Sequence, residues 1–230
     1  MQKSARLLPL VTALFVTALL TANIIAVKLF VVAGVALPAG VVIFPLSYLF
    51  GDVLTEVYGY AQARRVIWLG FFCNLLMVVA IWVAQELPSA SFWNGQGAYE
   101  QILGFAPRLL VASFAAYLLG EFVNSFVLAK LKIATKGRWL WTRTISSTVV
   151  GQALDSTVFI TLAFAGTGVP ALGSLILAQW LFKSAYEIVA TPLTYLVVNT
   201  LKRLEGIDTF DYETNFNPLM IAAERVSRPG

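Results

Sequence analysis

Apolar residues crowd six stretches of the chain, at approximately 7 to 27, 39 to 58, 66 to 85, 108 to 131, 147 to 168 and 174 to 200. Short segments rich in Lys, Arg, Gly, Pro and Asn separate them. Each stretch is close to the roughly 20 residues that carry an α-helix across bilayer hydrocarbon. The pattern predicts an all-α, polytopic membrane protein: a domain of six transmembrane helices over 1–204, then a polar, mixed-charge tail over 205–230. The tail is expected to be cytoplasmic and partly disordered. The first stretch exceeds the roughly 7 to 15 apolar residues of a signal peptide, so it is read as a mature helix. Segment 87–107, with Trp93, Tyr99 and Phe105, reads as a loop against the membrane interface, the alternative being a lid over a cavity.

The informative positions interrupt the apolar pattern. Lys28, Asp52, Glu56, Glu121, Asp155, Lys183 and Glu187 fall within or at the edges of the spans. A charge at a helix centre costs about 2.5 to 3.5 kcal/mol, so these groups must face one another or a polar cavity. Residues three or four apart share a helix face, which aligns Tyr48, Asp52 and Glu56 in the second span and Tyr117, Glu121, Asn124 and Ser125 in the fourth. In the fifth, Thr148, Gly151, Gln152, Asp155 and Phe159 share a side; in the sixth, Gln179, Lys183, Glu187, Thr191 and Tyr195 form one polar line. At about 1.5 Å rise per residue, Glu121, Asp155 and Lys183 come out near the midplane. Glu56 and Lys28 read as interfacial, with Glu56 near Arg64 or Arg65. Pro45 and Pro192 are expected to kink the second and sixth helices.

Asp52, Glu121, Asp155 and Glu187 face a single deep lysine, Lys183. The surplus carboxylates must bind protons, meet a cation, or accept hydrogen bonds from donors such as Asn23, Asn124 and Gln152. Each solution has a functional counterpart: proton coupling, cation coupling, or a ligand with a donor-rich edge. The competing reading is a static ion-pair network that only fixes helix packing.

Composition narrows the classes. The chain is 59% hydrophobic and 12% charged, with mean hydropathy +0.79, too few charges to solvate a surface of its own. Arg64 and Arg65 sit between the second and third spans, and Lys130, Lys132, Lys136, Arg138 and Arg143 between the fourth and fifth, while the other loops are nearly free of them. The positive-inside rule then puts both termini in the cytoplasm and accounts for the net charge of +4, with no nucleic acid implied. There is no histidine, and the one cysteine, Cys73, has no disulfide partner. No HExxH, GxSxG or GxxxxGK[ST] occurs, so neither an intramembrane hydrolase, a metal site, a cofactor nor ATP hydrolysis is expected.

Several blocks together carry a family likeness: NIIAVKLF at 23–30, FPLSYLFGDVLTEVYG at 44–59 followed by Ala63, Arg64 and Arg65, GEFVNSFVLAKLK at 120–132, STVVGQALDS at 147–156, and Lys183 to Glu187 with Pro192 to Tyr195. The chain resembles the queuosine-precursor transporter family, also called the vitamin uptake transporter family. The final ERVSRPG departs from it. The resemblance implies import of 7-cyano-7-deazaguanine or its aminomethyl relative and a fold similar to the six-helix substrate-binding subunits of energy-coupling-factor importers; membrane lipids are the other expected contact. Whether the chain is a self-sufficient carrier or such a subunit, and a monomer or a homodimer, stays open. The candidate substrate-binding residues are Asn23, Tyr48, Asp52, Glu121, Asn124, Gln152, Asp155, Lys183 and Glu187. A carboxylate, Glu121 or Asp155, would accept the ring N–H and amine pair, and Lys183, Asn124 or Gln152 would donate to the carbonyl.

Overall fold

A computed structural model describes residues 5–32, 35–104, 107–166 and 172–220. Helix α1 spans Leu8–Ile25, and a hairpin follows, β1 Leu29–Val32 antiparallel to β2 Val35–Pro38 with Leu29 opposite Pro38. A 3-10 turn, Ala39–Val42, leads into α2, Phe44–Val53, which continues as a π-helical turn, Leu54–Tyr58. Then come α3 (Tyr60–Glu86), α4 (Gln96–Leu103), α5 (Pro107–Ala134), α6 (Leu140–Phe164) and α7 (Leu172–Glu205). A helical segment therefore occupies each of the six apolar stretches, and the hairpin is the one non-helical regular element among the described residues.

Four stretches are long and apolar enough to cross a membrane: Leu8–Ile25, Tyr60–Glu86, Gln96–Ala134 and Leu140–Phe164. The other two differ for separate reasons. The 34-residue α7 has the length, but its polar line dilutes its hydropathy. The α2 helix with its π-helical turn runs only from 44 to 58, because the apolar residues before it go into the hairpin and the 3-10 turn. Pro45 consequently lies in the first turn of α2, where its missing N–H would have had no helical partner, and it does not kink the helix. Pro192 does lie inside α7. Segment 87–104 folds back on the end of α3, with Tyr99 donating to the Ile81 carbonyl at 3.3 Å and Gln96 to that of Gln85 at 3.0 Å.

Helices α5 and α6 pack closely against each other. A Cβ on Gly151 would stand 2.9 Å from both the Asn124 Cβ and the Gly120 carbonyl oxygen, so only glycine allows this approach.

At the end of the bundle where α2, α5 and α7 terminate and α6 begins, Glu56 is fully buried within a cluster of cations. Arg143 grips it bidentately at 2.7 and 2.8 Å, Lys202 donates at 2.6 Å, and Lys132 lies 3.6 Å from its carboxylate while donating to its backbone carbonyl at 2.5 Å. This corrects the interfacial reading: Glu56 pairs with neither Arg64 nor Arg65. Lys132 and Arg143, read as loop charges, are each only 1% exposed. Lys28 is exposed, as an interfacial residue would be.

The tail, expected to be partly disordered, packs back on the bundle over its described part to 220; residues 221–230 lie outside the described residues. Asp208 accepts from Lys132 at 2.6 Å and pairs with Lys202 at 2.9 Å. Partial burial would raise the Asp208 carboxyl, but these two lysines outweigh it and hold it below the usual carboxylate range. Asp211 accepts from the Tyr60 amide at 3.0 and 3.1 Å, capping α3 just after Gly59, whose φ of 85° requires glycine. Arg64, fully buried, donates to the carbonyls of Asn215 and Asn217 at 2.6 and 2.8 Å, and Trp68 to that of Pro218 at 2.8 Å.

Replacing Glu56 by alanine leaves the buried Arg143 without its carboxylate and Lys132 and Lys202 with that of Asp208 alone, and breaking such a cluster costs about 3–5 kcal/mol. Thermal unfolding of the purified Glu56→Ala protein in detergent should show a fall of many degrees; an unchanged midpoint would mean that the cluster is not structural. The low-lying Asp208 carboxyl contributes stability that is present above the ordinary carboxylate range and lost as pH falls through its lowered value. Protection against hydrogen exchange at Thr209 and Tyr60, corrected for the intrinsic slowing of amide exchange in acid, should fall at acidic pH in the native chain, and in Asp208→Asn it should be low already at neutral pH.

Candidate functional site

Between the helices lies a cavity of about 170 Å³. One wall is Leu19, Ala22, Asn23 and Ala26 of α1 with Asn74 of α3, and another is Gln152, Asp155 and Phe159 of α6 with Phe182, Lys183, Tyr186 and Glu187 of α7. Phe44, Pro45 and Tyr48 of α2 and Ser113, Ala116 and Tyr117 of α5 complete it, with Gly40 and Gln179 at its margin. Gly40 is required there, since a Cβ would come within 2.6 Å of the Ala22 carbonyl oxygen.

Six of the nine sequence-predicted site residues line this cavity: Asn23, Tyr48, Gln152, Asp155, Lys183 and Glu187. The helical stripes explain the convergence, because each helix turns one polar face inward. Lys183 hydrogen-bonds Asp155, and its ammonium lies 4.5 Å from the centre of the Phe44 ring. Asp52, Glu121 and Asn124 stand behind the lining, in the packed interior between α2 and α5. Asn124 donates to Asp52 at 2.8 Å, and the Glu121 carboxylate lies over Gly51, whose added Cβ would be 3.0 Å from it. Asn23 does not serve a carboxylate, as the sequence reading allowed; its amide donates to the Asn74 carbonyl oxygen at 3.1 Å.

Lys183 therefore neutralises one acid of the four. Asp52, Glu121 and Glu187 have no cation partner among the described residues, and each has one carboxylate oxygen that accepts nothing from the chain. The Gln152 side-chain oxygen is likewise unpartnered, with Thr144, Thr148 and Ser156 continuing the same face of α6 at four-residue spacing. Buried polar groups are otherwise almost always paired, so this concentration marks where a donor-rich guest or protons would be accommodated.

Asn74, only 5% exposed, escaped the sequence reading. Its signal was available: a lone amide in the otherwise apolar run of the third span. Tyr117 was placed on the right stripe, but its hydroxyl donates to the Ile67 carbonyl at 3.0 Å. None of the described residues of 87–104 lines the cavity, so the lid reading finds no support there.

A sequence model of the family described as "Putative vitamin uptake transporter" matches residues 38–197. The chain belongs to this family. Membership makes the protein a transporter and not an enzyme, and makes its apolar helices those of a multi-pass membrane protein. Among relatives, the "Probable queuosine precursor transporter" of Bacillus subtilis (strain 168) is 30% identical over 176 residues, 76% of this chain and 77% of that one. The "Queuosine precursor transporter" of Escherichia coli (strain K12) is 30% identical over 124 residues, 53% and 52% respectively. The "Probable queuosine precursor transporter" of Haemophilus influenzae is 28% identical over 169 residues, 71% and 69%. No solved structure matches the chain.

Within the family match, segments 120–132 and 147–156 supply the helix interface at Gly120 and Gly151 and the amide that serves Asp52. Truncating Asn124 to alanine leaves Asp52 without its donor and should lower stability by about 1–3 kcal/mol. In a double-mutant cycle read by thermal unfolding, Asp52→Asn should recover part of that loss; additivity would mean that the two residues are not coupled.

Proposed function

We propose that this protein imports deazapurine queuosine precursors, 7-cyano-7-deazaguanine or its aminomethyl relative, across the inner membrane as a proton-coupled secondary carrier. In this reading the helical segments of all six apolar stretches cross the bilayer, both termini lie in the cytoplasm, and the end holding Glu56 and the described tail faces inward.

The observation that carries the proposal is the cavity itself. It sets one ion pair, Asp155–Lys183, and two unpartnered acceptors, on Gln152 and Glu187, among the aromatic rings of Phe44, Tyr48, Phe159, Phe182 and Tyr186. A deazaguanine carries ring N–H and amine donors on one edge, a carbonyl acceptor beside them, and flat faces for aromatic side chains. Asp155 or Glu187 would accept the donor pair, and Lys183 would donate to the carbonyl. A dry site built for those donors discriminates strongly against analogues lacking them. The names of the relatives agree with this choice of substrate class. Coupling to protons is supported by the three acids without a cation, Asp52, Glu121 and Glu187.

Binding by purified protein, measured for the two precursors and for guanine at several pH values, tests substrate and coupling together. Binding should favour the precursors and release or take up protons; equal affinity for guanine would sink the substrate assignment. Uptake should be lost, by at least about tenfold, in Asp155→Ala and Lys183→Ala with both proteins still in the membrane. Uptake by this gene alone, in a host lacking energy-coupling ATPase modules, should persist. Its absence would point instead to a substrate-binding subunit.

A further inference from the structure

The charge of the cavity is confined to one side. Asp155, Lys183 and Glu187 all project from α6 and α7, whereas the α1–α3 wall carries two neutral amides, Asn23 and Asn74, among Leu19, Ala22 and Ala26. Helices α1 and α3 pack on each other, as do α6 and α7, so the amides and the ion pair enter the same cavity from two different helix pairs. The single hydrogen bond from Asn23 to Asn74 uses one N–H of the first and the carbonyl oxygen of the second. Left over are an acceptor, Asn23 Oδ1, and a donor, Asn74 Nδ2. Interhelical amide pairs also serve as packing glue. A purely packing role does not call for the pair to line the one cavity that holds the ion pair.

We propose that the Asn23–Asn74 amide pair is a specificity subsite that receives the 7-substituent of the deazapurine and makes the protein prefer the neutral nitrile to the aminomethyl form. This rests on the substrate reading given above, and on the donor edge of the base lying against the acids of α6 and α7. With that edge held there, the opposite side of the ring, which bears the 7-substituent, faces α1 and α3. A nitrile is a slender neutral acceptor, and the Asn74 amide supplies its donor. An ammonium in the same place would find one carbonyl oxygen, no carboxylate and an apolar surround, so its desolvation would go largely uncompensated. The reverse placement, with the ammonium against Glu187, would leave the amides to read the purine edge and would make them equally important for both precursors.

The discriminating quantity is the ratio of the two affinities in one protein, which is insensitive to how much of it is folded. Native protein should bind the 7-cyano precursor at least about tenfold more tightly than the 7-aminomethyl one. Asn74→Asp should shift the ratio toward the aminomethyl form by about tenfold or more, since a carboxylate now meets the ammonium. Asn23→Asp makes the same change from the other helix and stands in should the first variant fail to fold. Asn74→Leu should bring the ratio toward parity. Native protein that binds both precursors, with a ratio unmoved in all three variants, overturns the subsite while leaving the substrate assignment intact. Native protein that binds neither overturns the assignment and the subsite together.

Discussion

One buried carboxylate holds the bundle together at the end where its helices stop. Glu56 is carried on the π-helical turn that follows α2, and it takes Lys132 from the end of α5, Arg143 from the start of α6 and Lys202 from the end of α7. A dehydrated carboxylate demands such partners, and long cationic side chains near helix ends can reach it. Its location fixes how far each of these helices can slide. Helix α1 joins through the Leu7 amide, which donates to Glu205 at the end of α7 at 2.5 Å. With that end pinned, the polar stripes of α2, α5, α6 and α7 have one register in which they can meet.

The carboxylates further into the bundle obey a different economy. Glu56 has more cations than charge to balance, whereas of Asp52, Glu121, Asp155 and Glu187 only Asp155 has one, Lys183, among the described residues. Stability alone favours the first arrangement and is poorly served by the second, since unpaired buried acceptors are costly. The contrast separates structural acids from those available to a guest. Small residues make the second arrangement constructible: Gly120 and Gly151 let α5 and α6 approach closely enough to set Asp155 beside Tyr48, and Gly40 lets the 3-10 turn close against α1.

Much of this was legible in the sequence, for identifiable reasons. The 3.6-residue period placed Tyr117, Glu121, Asn124 and Ser125 on one buried face and brought Asp155 and Lys183 to one cavity, because inward polar stripes have nowhere else to go in an apolar bundle. What periodicity could not show was pairing between elements. It left Glu56 to nearby Arg64 and Arg65, when its partners lie between 76 and 146 residues away in the chain. It read Lys132 and Arg143 as surface charge, since a basic residue beside a span looks the same whether it faces headgroups or a buried acid. The hairpin at 29–38 was hidden for a related reason: a short apolar run does not announce its period. The tail's composition does not reveal the carbonyls and carboxylates it offers to Arg64, Trp68, Lys132, Lys202 and Tyr60.

The placement of that tail has a consequence for biosynthesis. Asp211 caps a helix that begins 151 residues earlier, and Arg64 waits for carbonyls 151 and 153 residues downstream. A chain emerging from the ribosome completes α1 to α6 well before residues 208–217 exist, so the start of α3 and the buried arginine lack these partners until that segment follows. Closing such long loops is entropically slow and can come only last. The bundle is thus closed by a segment made after its helices, and a nascent chain arrested before residue 208 would leave the Tyr60 amide and Arg64 without these partners.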